Sequence, residues 1–350
     1  MNFYLIGADY QSAPPEIRQK IYLKRSQIES FWSGKAGLDT AILVTCNRFD
    51  ISIAARTENE IIESLARFKQ EFPEFYAHSY IQDGVFKVLR YGLRLACGLE
   101  SQLKGEYQIM EQLEAWLNPD KFSESLLGFW SRIIRSAAEI RFKSGLNFNE
   151  NNIAKLLFQD LRALGVSLEK LELAVVGTGK VAGLLAGYRP RNAQLYFVAH
   201  KNRLKAEALA SRVSAKVLSF DQFRQIIPSL DVIVSAAGSP HIILKPADIP
   251  DSVLQRDKPL YIYDLGFPIN VAKELGQKKN IISKNLDDLA QAAKNTNRCL
   301  QRNFNLAEYL IEEVVSTRPD LSGRCALLRK DNEYIESRYP AESVSYQAAG

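Results

Sequence analysis

The chain has 350 residues, 46% hydrophobic and 24% charged, which allows two domains with cores of ordinary composition. The net charge of +5 suits an anionic partner but is small for this length and selects no function class. No apolar run approaches 18 residues, and the N-terminus enters a strand directly, so neither a membrane span nor a signal peptide is expected. Four cysteines (Cys46, Cys97, Cys299, Cys325) lack close pairing, and only three histidines are scattered along the chain; a reducing cytoplasm and no metal site are expected.

In chain order, the pattern predicts a strand at 3–8, a helix near 15–33, strands at 40–45 and 49–55, and a helix over 58–71. Further helices follow between about 83 and 143. The two strands around Thr45-Cys46-Asn47-Arg48, with helices on one side, predict a small α+β sandwich. Cys46 ends a run of Ala41-Ile42-Leu43-Val44 rather than sitting within it. A free thiol has a pKa of roughly 8.5, so a nearby Arg48 would raise the thiolate fraction and could grip an acidic group. A packed, incidental cysteine fits the same residues.

Residues 98–112 form a helical pattern interrupted by Gly98 and Gly105, with Ser101, Glu106, Gln108 and Gln112 supplying polar groups. Gln108 and Gln112 lie four apart on one helical face, beside an apolar face of Ile109, Leu113 and Trp116. Two helices with a solvated side would read the same way.

A helix over 151–164 leads into Leu171-Glu172-Leu173-Ala174-Val175-Val176, the apolar run of a buried parallel strand. It ends in Gly177-Thr178-Gly179-Lys180-Val181-Ala182, which matches the dinucleotide fingerprint between strand and helix. Gly177 allows the tight turn, Gly179 the approach of a pyrophosphate, and Ala182 close helix packing. Strands at 195–200, 231–236 and 259–265 with helices between complete a Rossmann-type domain. NAD sites carry an acid after the second strand. Here His200, Lys201 and Arg203 stand there instead, which points to the 2′-phosphate of NADP, although a solvated basic loop has the same composition. Residues 286–316 predict one helix of roughly 45 Å, with Leu286, Ala293, Leu300, Ala307 and Val314 every seven residues. Residues 317–350 contain Pro319, Gly323 and Pro340 without apolar periodicity and read as a disordered tail.

Taken together, these segments resemble the glutamyl-tRNA reductase family. The resemblance is carried by the opening at 5–18 with Ala13-Pro14-Pro15-Glu16-Ile17-Arg18, the Thr45-Cys46-Asn47-Arg48 loop, and residues 98–112 with Glu100 replacing an Asp. Segments 235–240 and 264–268 extend it, so that it covers roughly residues 1–316. It implies an α/β protein with an N-terminal α+β catalytic domain (1–152), a Rossmann-type NADP-binding domain (153–285) and a long C-terminal spinal helix (286–316) before the tail (317–350). The implied activity is NADPH-dependent reduction of glutamyl-tRNA to glutamate 1-semialdehyde through a cysteine thioester, the first committed step of tetrapyrrole (porphyrin) biosynthesis by the five-carbon pathway. Cys46 would be the nucleophile and Arg48 would hold the glutamyl carboxylate bidentately. Thr45, Ser101, Glu106 and Gln112 would line the substrate pocket.

The implied partners are glutamate-charged tRNA(Glu) and glutamate-1-semialdehyde aminotransferase. Three positions depart from the family pattern: Tyr91 and Tyr10 replace histidines, and Asn152 replaces a serine. The family's dimerisation domain would begin where this chain ends, so a monomer is expected, or a weak homodimer through Phe304, Ile311 and Val314. Two other readings fit parts of the chain: a non-catalytic paralog that binds tRNA or a partner, and a shikimate-dehydrogenase-like NADP oxidoreductase, which would need a Lys–Asp pair.

Overall fold

A computed structural model describes residues 1–35, 37–148, 152–199, 202–292 and 300–317. The first sheet is antiparallel, in the order β2-β3-β1-β4. Its strands are β1 (Asn2–Asp9), β2 (Leu38–Val44), β3 (Arg48–Ala55) and β4 (Tyr80–Asp83). All eight residues of β3 are buried. Alternate side chains of a strand point to opposite faces, so β3 must satisfy two layers.

On one face Phe49, Ile51, Ile53 and Ala55 pack with α1 (Pro15–Leu23), α2 (Arg25–Trp32), α3 (Glu58–Glu71) and α4 (Pro73–Ala77). Helix α3 starts on a capping box, with the Thr57 amide donating to Glu60 Oε2 at 3.0 Å. The other face is covered by α5 (Val85–Ala96), α6 (Gln108–Trp116) and α7 (Glu124–Ser144), which share a core with Phe3, Leu5 and Ala54. Helices therefore flank both faces, not the one face expected. The polar Arg48, Asp50 and Ser52 imitate a solvated strand face, yet all three are buried.

The second sheet is wholly parallel: β5 (Glu172–Val176), β6 (Gln194–Val198), β7 (Lys216–Leu218), β8 (Val232–Ser235), β9 (Leu260–Asp264) and β10 (Ile281–Asn285). Its order, β10-β9-β8-β5-β6-β7, is that of a doubly wound dinucleotide fold, 3-2-1-4-5-6 read from the far edge. One face carries α8 (Ile153–Ala163), α9 (Lys180–Tyr188), α10 (Arg203–Ser211) and α13 (Leu286–Ala292). The other carries α11 (Phe220–Ile226) and α12 (Asp251–Gln255).

The helix expected over 286–316 is described in two stretches, α13 and α14 (Gln301–Thr317); the connection at 293–299 and the tail from 318 lie outside the described residues. Helix α14 packs on α5 and α7, with Phe304, Ala307, Ile311 and Val315 in the first core. Phe304 is 5% exposed and Ile311 0%, so the expected dimer contact through these residues is corrected: they are spent on the chain's own core. Among the described residues no helix is long and apolar enough to cross a membrane.

Candidate active site

The β2–β3 turn carries the thiol. The Thr45 amide donates to Arg48 O at 3.0 Å, the Asn47 amide to Thr45 Oγ1 at 3.2 Å, and the Tyr10 amide to Asn47 O at 3.1 Å. These bonds fix a short turn that leaves Cys46 half-buried at the mouth of a cleft of about 50 Å³. Thr45, Cys46, Arg48, Ser101, Glu106 and Gln112 all line it, so the six residues expected to handle substrate come together. The opposite wall is Ile153, Val181, Leu265 and Leu286 from the second half of the chain. Cys46 thus shares an enclosure with the first turn of α9.

Burial pushes the Cys46 thiol up to about 11, Glu106 adds to this, and the cations Arg18 and Arg48 oppose it. The expectation that Arg48 leaves the thiol activated therefore fails in this conformation, because desolvation outweighs it. The Arg48 guanidinium is 1% exposed and committed elsewhere. Nη1 donates to the Tyr91 hydroxyl at 2.5 Å, Nη2 donates to Glu100 O, and Asp50 lies 3.6 Å away. Asp50 accepts from Tyr80 at 2.6 Å and from Tyr91 at 2.7 Å. Tyr91 is thus a buried link in a network, and the fork expected to grip a carboxylate is turned to protein oxygens.

Glu106 is held by a hydrogen bond from Ser101, and its carboxyl is raised by burial. The loop carrying both residues is pinned by Arg141 of α7, which is fully buried. Arg141 Nη1 donates to Cys97 O at 2.8 Å and Glu106 O at 3.2 Å, and Nη2 to Gly105 O at 3.1 Å. The sequence reading missed it; Arg141 is one of four basic residues in α7, with Arg132, Arg135 and Lys143, and the pattern does not single it out. Arg18 was likewise passed over, although it donates to the Cys46 carbonyl and to Asp287. Tyr10 opens instead onto a separate cleft of about 620 Å³, and Asn152 caps α8 by accepting from the Lys155 amide at 2.9 Å.

The fingerprint lies at the switch point between β5 and β8. Gly177 has φ +121, and a Cβ there would fall 2.7 Å from Ala236 O. A Cβ on Gly179 would meet nothing within 4 Å, so the space over the N-terminus of α9 is open. Ala182 is fully buried against the sheet, Thr178 is half-buried, and Lys180 reaches across to Glu111 at 3.2 Å. Arg203 is exposed and paired with Glu207 at 2.8 Å, whereas His200 and Lys201 lie outside the described residues. No group of three or more His, Cys, Asp or Glu suited to a metal occurs among the described residues.

Residues 6–141 match the family model "Glutamyl-tRNAGlu reductase, N-terminal domain", and residues 159–292 match "Shikimate / quinate 5-dehydrogenase". A glutamyl-tRNA reductase of Thermus thermophilus is 27% identical over 318 residues, covering 89% of this chain and 78% of the relative. Residues 6–141 thus carry the N-terminal domain of the glutamyl-tRNA reductase family. Another relative of that name, from Legionella pneumophila, is 28% identical over 325 residues, covering 89% of this chain and 76% of its own length. Among solved structures, the glutamyl-tRNA reductase of Methanopyrus kandleri aligns over 96% of this chain and 82% of its own, at 21% identity and a TM-score of 0.44.

Proposed function

We propose that this chain reduces glutamyl-tRNA to glutamate 1-semialdehyde with NADPH, through a thioester on Cys46, as the entry reaction of five-carbon tetrapyrrole biosynthesis. The observation that carries this reading is the shared cleft, in which Cys46 faces Val181 at the head of the dinucleotide helix. An acyl group held on that sulfur stays beside the nucleotide site without leaving the enclosure.

The residues fit the cofactor. The open space over Gly179 and the absence of a side-chain cap leave the first amides of α9 free for a pyrophosphate. Lys201 and Arg203 would hold the 2′-phosphate. When bound, NADPH supplies hydride.

The chain's own residues do the rest. The Cys46 thiol loses its proton, for which the buried Glu106 carboxylate is the facing acceptor, and the sulfur adds to the ester carbonyl carbon. The carbon–oxygen bond to the terminal ribose breaks, and the departing oxygen takes up a proton. Gln112 and Thr45 offer donors to the glutamyl group, the Ser101 hydroxyl keeps Glu106 in place, and Arg48 sets a positive potential behind them. Reduction of the thioester carbonyl breaks the carbon–sulfur bond and returns Cys46 as thiolate beside a free aldehyde. That aldehyde is reactive, which favours direct transfer to an aminotransferase partner.

The shikimate-type reading draws on the match to 159–292 alone and leaves the cysteine cleft without a use. The Lys284–Asp160 pair, at 2.8 Å, joins β10 to α8 and is further held by Tyr263. The test is NADPH consumption and semialdehyde formation with glutamyl-tRNA against free glutamate. Turnover is expected with the charged tRNA only and none in Cys46→Ser, whose fold is retained; full activity in that variant overturns the reading.

A further inference from the structure

We infer that Arg18 is a positioning residue for Cys46, anchoring the thiol-bearing turn and supplying the main positive charge at its sulfur, a part the sequence pattern gives to Arg48. The inference rests on the reading of Cys46 as the nucleophile.

Arg18 lies on α1 and is 7% exposed. Its Nη1 donates to Cys46 O at 3.4 Å and to Asn47 Oδ1 at 3.3 Å, so the guanidinium holds the turn at the thiol-bearing residue itself and at the one that follows it. Nη2 donates to Asp287 Oδ1 and Oδ2 at 3.0 and 2.9 Å. Nε is buried with no protein partner, and Arg18 lines a void of about 10 Å³ together with Cys46 and Thr45. A buried donor without a partner, on a residue that lines the same void as Cys46, is costly unless it serves a charge that develops nearby.

The two arginines differ in how they are compensated. Arg48 sits in a buried pair with Asp50, whose side chain is 2% exposed. Arg18 is paired with Asp287, which is 33% exposed and therefore screened. The charged groups facing the sulfur are Arg18 from α1, Arg48 from β3 and Glu106 from the 98–106 loop; Asp287 of α13 acts through Arg18. Of the two cations, Arg18 pulls the thiol down more than Arg48, against burial and Glu106. Asp287 also accepts from Gln102 and opens the helix that follows β10, so the charge felt by the thiol depends on how the two halves meet.

The test is the rate of iodoacetamide alkylation of Cys46 across pH 7–11 in the full chain, with the adduct located by peptide mass. Arg18→Gln is expected to raise the apparent thiol pKa by about one unit and slow alkylation at pH 8 about tenfold. Arg18→Lys keeps the charge and is expected to stay within about threefold of the unmodified protein. Asp287→Asn removes the competing carboxylate and is expected to lower the apparent pKa. An unchanged pH profile in Arg18→Gln, or Arg18→Lys as slow as Arg18→Gln, overturns the inference. If Arg18→Gln does not fold, Asp287→Asn decides alone: a profile that is unshifted or shifted upward overturns it. Alkylation needs neither tRNA nor nucleotide, so failure of the reductase assay leaves this result interpretable.

Discussion

Replacing Asp50 with Asn should cost about 3 kcal/mol of folding stability, and the magnitude follows from its surroundings. Arg48 and Asp50 have side chains 1% and 2% exposed, 3.6 Å apart. At an effective dielectric of about 20, two charges at that separation attract by about 4–5 kcal/mol. Burial pushes the Asp50 carboxyl up, while Arg48 and the Tyr80 and Tyr91 hydroxyls pull it back. Asn keeps one acceptor for those phenols but leaves the Arg48 charge buried without its carboxylate. Removing one partner of a buried pair typically costs about 3–5 kcal/mol, and the near-isosteric amide belongs at the low end. The assay is guanidinium denaturation, comparing Asp50→Asn, Arg48→Met and the double variant. Once both charges are gone nothing is stranded, so the double variant should be more stable than the sum of the singles by about 1.5 kcal/mol or more. A loss below about 1 kcal/mol in Asp50→Asn, or strict additivity, would refute the claim that this network is an ion pair held by two tyrosines.

Gly177→Ala should destabilise by about 2 kcal/mol and weaken nucleotide binding, because φ +121 disfavours a side chain and its Cβ would lie 2.7 Å from Ala236 O; denaturation midpoints and a nucleotide titration check it. Burial raises Cys46 to about 11 and Cys97 to about 12, both above the unfolded value of about 8.5. The stability this confers is complete below that value and is lost as pH rises through the folded values. The advantage of the unmodified protein over Cys97→Ala should therefore shrink between pH 9 and 12, by up to about 1.4 kcal/mol per unit, and a constant difference would contradict the burial. Changing Lys201 and Arg203 together to Ala should weaken NADPH about ten- to hundredfold and leave NADH unaffected, as read by steady-state KM. Equal use of NADH by the unmodified protein would remove the basis for an NADP site.

The parts of this molecule that were legible in sequence are those where backbone geometry restricts residue choice. A buried parallel strand followed by Gly177 and Gly179 has few other uses, and the strand order around it follows from right-handed crossovers. The Cys46 turn was legible because a tight connection between two strands must leave its middle residues accessible. Edge strands were not: β7 and β10 are three and five residues long, and Lys216 and Lys284 dilute their apolar pattern. Strand β4 was missed for the same reason, and with it the meaning of Tyr91. Read alone, a tyrosine where the family pattern has histidine is a lost base. In the fold, Tyr91 and Tyr80 of β4 lie with hydroxyls 2.6 Å apart and both donate to Asp50. The position is thus one corner of a four-residue network joining α5, β3 and β4, and a histidine there would have to replace a phenol that accepts from Arg48 while donating to Asp50. A single imidazole tautomer can do both, one nitrogen accepting and the other donating, but from opposite sides of its ring and not at one oxygen. Tyr91→His alone should therefore disrupt the network that immobilises Arg48, so the departure at 91 works together with Tyr80, and the two phenols hold Asp50 and through it the Arg48 guanidinium beside the thiol-bearing turn.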